Sequence, residues 1–497
     1  MIVKVFTGAV SGLDGNIVIV EADFSNGLPS FDVVGLPDAT VKEAKERVRA
    51  ALRNSSFEFP AKRAVINLAP ADLRKEGTQF DLPIAVSVLA GTGQLKADLN
   101  EYILIGELGL SGELRPARGV LSIAACAREH GFGKIIVPCQ NADEAALAGD
   151  IEVYGARCLA DVYCHLTGEK ALERVQCDIE GIFHREAEYD VDFSDMHGQQ
   201  LLRRGIEVGV SGGHNLLMIG SPGSGKSMAA RRIPTILPDM TLDEAIEVTK
   251  IYSVAGELEE NRQLIAQRPF RSPHHTASAA SIVGGGSKAR PGEISLAHNG
   301  VLFLDEFPEY RKDVIESLRQ PLEDKNITVT RSACSYTYPC NTMLVAALNP
   351  CRCGYYGDGS GRCRCSESDV HKYLGKISGP MLDRIDIQLE AAPVKYGDLK
   401  AARGESSAVI KERVEAARRI QALRYKNESI TTNAQLGGAL VEKYCPVGEE
   451  ESQMLKRAFD DLGLTGRAYT RILKVARTIA DMDARRDINT MDIAEAI

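Results

Sequence analysis

Tryptophan is absent from this 497-residue sequence, and the aromatic share is only 6%. Hydrophobic residues nonetheless make up 44%, enough for ordinary cores, and the length suggests about three domains. No apolar run approaches the ~18 residues of a membrane span. The opening Met1-Ile2-Val3-Lys4-Val5-Phe6-Thr7-Gly8 has no charged leader ahead of an apolar core. A cytoplasmic protein with no membrane partner is the expectation. A basic excess is also missing. The net charge of −9 excludes a chain that is basic all over, but not a local cationic channel, because only the field along the bound strand matters. The 12 cysteines lack the pattern of a secreted disulfide scaffold, and eight are scattered singly, as reduced cysteines usually are.

What is present centres on Gly220-Ser221-Pro222-Gly223-Ser224-Gly225-Lys226-Ser227. It follows the apolar run Leu216-Leu217-Met218-Ile219 and precedes a helix-prone Met228-Ala229-Ala230-Arg231-Arg232. The pattern G-x-x-x-x-G-K-[ST] between a buried strand and a helix predicts a phosphate loop. Its three glycines let consecutive N–H groups converge on phosphate oxygens at a helix N-terminus. Lys226 would reach the β- and γ-phosphates of ATP, and Ser227 would hold Mg²⁺.

About 80 residues further on, Gly300-Val301-Leu302-Phe303-Leu304-Asp305-Glu306 reads as a buried strand that delivers two carboxylates to the carboxyl edge of a sheet. Asp305 suits the Mg²⁺ shell and Glu306 the polarisation of an attacking water. A third apolar run, Met343 to Leu348, ends at Asn349-Pro350. Just beyond it come Cys351-Arg352-Cys353 and Cys363-Arg364-Cys365. The glycine-rich stretch between these pairs can fold back, so four thiolates could converge on Zn²⁺; free thiols or an oxidised pair are the alternatives.

Residues 1–165 read as a mixed α/β domain. Strands are predicted in 17–23, 30–35 and 64–68, with an Asp38-capped helix through 41–48 and another at about 81–91. The segments 75–82 and 106–116 resemble the fold of the Lon protease proteolytic domain, also found in the RadA recombination protein. That family needs a serine nucleophile and a lysine base. Gln79 stands at the serine position, and Val120-Leu121-Ser122-Ile123-Ala124-Ala125 contains no lysine. A non-proteolytic domain is expected. Residues 166–190 are polar and acidic and read as a linker.

From 191 to 395 the chain resembles an AAA+ P-loop α/β module, with a cysteine insertion at 351–365. By that resemblance Asn349 senses the γ-phosphate, and Gly379-Pro380-Met381-Leu382-Asp383-Arg384 supplies an arginine finger to a neighbouring subunit; a structural Asp–Arg pair is the plain alternative for Arg384. Residues 396–497 read as a helical lid. Arg467, Arg471, Lys474 and Arg477 share one face of the final helix. Arg467 matches the lid arginine that closes over nucleotide, the plain alternative being a solvated basic stripe.

Two insertions resemble those that project toward the central pore in the clade of magnesium chelatase and the replicative MCM helicases. One is the glycine-rich 282–292, read as a mobile loop, after Phe270-Arg271-Ser272-Pro273-His274-His275-Thr276-Ala277-Ser278. The other is a predicted hairpin pairing 325–331 with 335–339, after a helix at 311–320. In order and spacing, the motifs over nearly the full length resemble the YifB/ComM family of magnesium-chelatase-like AAA+ ATPases. The resemblance implies a hexameric, ATP-driven DNA helicase that promotes branch migration during natural transformation, acting on single-stranded and branched DNA. Lys288, Arg290 and Arg331 are the candidate phosphate contacts, and Tyr336 and Tyr338 are stacking groups or ordinary hairpin residues. The competing readings are an AAA+ remodeller or a magnesium chelatase-type motor subunit acting on a protein partner.

Overall fold

The computed structural model describes residues 2–178, 181, 183, 189–259, 264–286, 289–331, 334–393, 397 and 403–497. They form two compact units, one of Met1–Arg185 with Leu242–Ala266 and one of Glu186–Thr241 with Gln267–Ile497.

In the first unit, alternation builds the central strands: Val18, Val20 and Ala22 are fully buried while their neighbours are partly exposed. The strands are β1 (Val3–Ser11), β2 (Asp14–Ser25), β3 (Ser30–Val34), β4 (Arg63–Ala69) and β5 (Tyr102–Leu104). After β6 (Glu107–Leu108) and β7 (Leu114–Arg115), a separate ribbon, come β8 (Lys134–Pro138), β9 (Glu152–Ala156) and β10 (Arg174–Val175). The sheet is mixed, in the order β10-β9-β8-β5-β1-β2-β4-β3. Asp38 caps the helix Ala39–Asn54 by accepting the Val41 N–H at 2.8 Å. The helix Asp81–Gly91 starts where expected, with its buried Asp81 held by the Arg47 guanidinium at 2.7 Å. The helix Leu242–Ala255 also packs into this unit. Its Ser253 hydroxyl donates to the buried Glu144 and accepts the Gly119 N–H at 2.9 Å. Of the expected linker, 174 and 175 form β10, and 179, 180, 182 and 184–188 lie outside the described residues.

The second unit is organised on five parallel strands in the order β12-β13-β16-β11-β17: β11 (Leu216–Gly220), β12 (Phe270–Arg271), β13 (Val301–Leu304), β16 (Met343–Leu348) and β17 (Ile387–Ala391). Every residue of β13 and β16 is buried, as expected of a parallel sheet covered on both faces. Register places Ile219 opposite Leu348 and Leu304 opposite Ala346, so β11, β13 and β16 end at one edge. The hairpin forms as anticipated, from β14 (Asn326–Arg331) and β15 (Cys334–Pro339). Two short helices, Lys312–Ser317 and Arg319–Asp324, replace the single one expected before it.

Beyond residue 403 the structure is helical, with Ser407–Arg424, Ala439–Tyr444, Glu449–Leu462, Gly466–Met482 and Thr490–Ala496. One expectation is corrected here: the basic helix, Gly466–Met482, is not the last. Of its basic face only Arg467 is exposed, so the plain alternative of a solvated stripe does not describe it. Arg477 is 2% exposed and donates to Asp481 and to the carbonyls of Arg485 and Arg486, while Lys474 donates to the Ala434 carbonyl at 3.0 Å. Asp481, itself fully buried, also accepts from Arg424 and from Asn433 Nδ2 at 2.9 Å. Exchanging Asp481 for Ala leaves two guanidiniums without their counter-charge. Unfolding by denaturant should show this unit destabilised by about 3–5 kcal/mol.

Candidate nucleotide-binding site

The loop from Ser221 to Gly225 connects the buried β11 to the helix Lys226–Arg232. Gly223 and Gly225 take φ of +79° and +91°, which side chains disfavour, and they turn the chain so that the helix starts at Lys226 itself. The Lys226 ammonium is buried under this loop. It donates to the carbonyls of Gly220 at 2.7 Å and Ser221 at 3.0 Å, to Ser224 Oγ at 3.4 Å and to Asn349 Oδ1 at 3.2 Å. Burial lowers its pKa from the ordinary lysine value, and the charge of Asp305 partly opposes that shift.

The neighbouring strand ends complete the group. Ser227 Oγ donates to Asp305 Oδ2 at 2.6 Å, so the two oxygens suited to a Mg²⁺ shell are already adjacent. Asp305 Oδ1 accepts the Glu306 N–H at 2.9 Å. Glu306 adopts φ +51°, a left-handed conformation uncommon for a side chain of this kind, directly after β13. Asn349 follows β16, which lies between β11 and β13, and this position lets one side chain face both Lys226 and the Asp305 strand.

Lys226, Ser227, Asp305 and Asn349 are thus brought together, with Glu306 beside them. Arg384 and Arg467 are not. Arg384 pairs with Glu323 at 2.6 Å and donates to the Arg319 and Pro380 carbonyls, and Arg467 pairs with Asp383 at 3.1 Å. Arg290 and Arg331 are exposed, and Arg331 Nε donates to the Gly286 carbonyl at 3.2 Å. Lys288 lies outside the described residues. Tyr338 cannot stack on a ligand, because it is 1% exposed and its hydroxyl donates to the Ala289 carbonyl; Tyr336 is half-buried.

Two side chains near the site carried no role in the sequence reading. His275 Nδ1 lies 3.3 Å from Glu306 Oε2, and Gln199 Nε2 donates to the carbonyls of Ser224 and Ala392. His275 stood within the segment that marks the clade, so its presence was visible but its partner was not.

The four grouped cysteines also converge. Sγ–Sγ distances are 3.2 Å for Cys351–Cys353, 3.8 Å for Cys351–Cys363 and 3.6 Å for Cys353–Cys363, and all four sulfurs, Cys365 included, lie within 4.8 Å of one another.

Three family models match in succession: the magnesium chelatase subunit ChlI over 192–399, a second ChlI segment over 20–141, and the ChlI C-terminal segment over 404–497. The chain is 42% identical to competence protein ComM of Haemophilus influenzae and 44% identical to the uncharacterized YifB proteins of Salmonella typhimurium and Escherichia coli. Each match covers 99% of this chain and 96% of the relative. The chain belongs to the YifB/ComM family of magnesium-chelatase-like proteins. Membership in this AAA+ group implies use of a nucleotide and Mg²⁺, which agrees with the Ser227–Asp305 pair. Among the described residues of this YifB/ComM protein, no helix is long and apolar enough to cross a membrane.

The lowered pKa of Lys226 has a measurable consequence. Phosphate charge would favour the ammonium form and raise the pKa again, so at alkaline pH nucleotide binding should take up a proton. Calorimetric titration in buffers of different ionisation enthalpy measures that uptake. It should vanish in Lys226→Ala and diminish as the pH falls and the free protein's ammonium becomes protonated.

Proposed function

We propose that this protein is an ATPase whose hydrolysis drives a homo-oligomeric ring, most simply a hexamer, along DNA to promote branch migration of recombining strands during natural transformation. The observation that carries the hydrolytic part is the convergence of Lys226, Ser227, Asp305 and Asn349 at the ends of three adjacent parallel strands. Lys226 would exchange its loop carbonyls for phosphate oxygens. Ser227 and Asp305 would hold Mg²⁺, which supplies charge neutralisation on the phosphates. Glu306, beside Asp305, is the group suited to orient the attacking water, with His275 against its carboxylate.

Support for the DNA part is the full-length similarity to a protein named for competence, together with the exposed Arg290 and Arg331 on adjoining loops. Such cations favour a phosphate backbone. We read the domains as a non-proteolytic Lon-like domain over 1–165, a linker at 166–190, the AAA+ module over 191–395 and a helical lid over 396–497, although 242–266 pack with the first unit and 174–175 form β10. Arg467 serves that lid. The four cysteines are read as a Zn²⁺ site. A cytoplasmic location accords with this role.

Branch migration on Holliday-type and forked DNA with ATP should occur in the unmodified protein and fail in Lys226→Ala and Glu306→Gln. Equal strand exchange in Lys226→Ala would end the motor reading, and ATP turnover indifferent to every DNA would favour a remodeller of protein partners. For Arg384, release from Glu323 on assembly would turn the guanidinium toward the neighbouring subunit's nucleotide. Arg384→Ala should then keep nucleotide affinity but lower turnover by about 10³-fold or more, and turnover near the unmodified rate would leave Arg384 a structural residue.

A further inference from the structure

Two of the three sulfur–sulfur distances suit a tetrahedral thiolate site, and the 3.2 Å Cys351–Cys353 pair is shorter. A tetrahedron with metal–sulfur bonds of about 2.3 Å has sulfur–sulfur edges of about 3.8 Å, close to the 3.6 and 3.8 Å found for two of the pairs. A disulfide would need about 2.05 Å, and all four cysteines are free thiols. Four thiolates around one divalent ion leave two negative charges. Arg352 and Arg364, exposed and within the same loop, suit that excess, while Arg362 is paired with Asp358 at 3.3 Å.

The loop's position gives this cage a consequence for the nucleotide site. Cys351 is two residues past Asn349, which touches Lys226. Cys365 directly precedes Ser366, whose side chain caps the helix Glu367–Leu374. Between them, Gly354 donates its N–H to the Cys351 carbonyl at 3.0 Å and turns with φ +87°. Its backbone lies flat against the phosphate loop: a Cβ at Gly354 would stand 2.6 Å from both Cδ and Cγ of Pro222, and 3.8 Å from Cγ of Asn349. The turn that carries Cys351 and Cys353 therefore backs the loop that would hold phosphate.

We propose that one Zn²⁺ bound by Cys351, Cys353, Cys363 and Cys365 braces the phosphate loop through Gly354 and Pro222, so that metal occupancy and nucleotide affinity are coupled. The coupling rests on the nucleotide and zinc readings above, and deepens them by joining two sites into one regulated unit. Binding displaces the thiol protons to solvent and changes no oxidation state. With the ion in place the turn is closed and Pro222 is held. Without it, the turn loses four constraints at the place where it meets the loop. Linkage makes the effect reciprocal: whatever factor zinc contributes to nucleotide affinity, nucleotide contributes to zinc affinity.

The full-length chain, purified in chelator-treated buffer without added metal, is assayed by elemental analysis and by titration with a fluorescent ATP analogue. One zinc per chain is expected, and Co²⁺ exchange should give the visible bands of a tetrahedral thiolate site. Cys353→Ser with Cys365→Ser should lose the metal and weaken nucleotide binding on the order of tenfold. Gly354→Ala keeps all four thiols and presses directly on Pro222; it should retain zinc yet weaken nucleotide binding, and stripping zinc from the unmodified chain with chelator decides the coupling if the cysteine variant does not fold. Competition with a chromophoric chelator should show zinc held more tightly when ATP analogue is present. Absence of metal from folded protein, or iron in its place, overturns the zinc assignment. Zinc present with nucleotide affinity unchanged in Gly354→Ala overturns the brace. Zinc present with no nucleotide binding in the unmodified chain overturns the nucleotide reading instead.

Discussion

A buried ammonium group cannot be left without partners, and in the second unit that requirement falls on Lys226. Its four oxygen partners come from the end of β11, from the loop after it and from the end of β16, so a single charge fixes how two adjacent strands terminate. Ser227, the next residue, draws in the third strand end through Asp305. These contacts depend on the parallel order β13-β16-β11, which presents all three carboxyl ends on one side. The short all-apolar strands make that order possible, because only side chains without polar atoms can fill a sheet covered on both faces.

A second polar junction ties this sheet to the C-terminal helices. Asn215, just before β11, receives the Leu344 N–H on its Oδ1 and donates from Nδ2 to the Arg384 carbonyl, linking β16 to the segment ahead of β17. Its neighbour His214 is fully buried between Asp386, 3.4 Å from Nδ1, and Thr478 on the helix Gly466–Met482, 2.8 Å from Nε2. Burial alone would raise Asp386; the adjacent His214, the Lys474 charge and the Asn215 N–H, which donates to its Oδ2 at 3.2 Å, together outweigh it and hold the carboxyl below its ordinary value. The segment carrying Arg384 and the helix carrying Arg467 therefore share one buried polar centre.

The features legible in the sequence are those encoded by consecutive residues. The glycine spacing of the phosphate loop, the apolar runs ending in Asp305-Glu306 and Asn349, the Asp38 cap and the paired cysteines all appear where the residue pattern places them. What escaped depends on partners distant along the chain. Nothing local in Leu242–Ala255 announces that Ser253 meets Gly119 and Glu144, more than 100 residues earlier. Lys474 looks like a surface cation until the Ala434 carbonyl, 40 residues earlier, accepts from its ammonium, and Tyr338 in the hairpin looks free to stack until Ala289 accepts its hydroxyl. Helical and strand periodicities specify which face a side chain occupies, but not what covers that face.

The same Tyr338 contact links the hairpin to the glycine-rich segment. Tyr338 joins β15 to Ala289, and Arg331 at the end of β14 reaches Gly286 from the other side, so the hairpin and the glycine-rich turn are riveted at two separated points. A load on Arg331 is therefore shared between the hairpin and the residues on either side of that turn through both contacts.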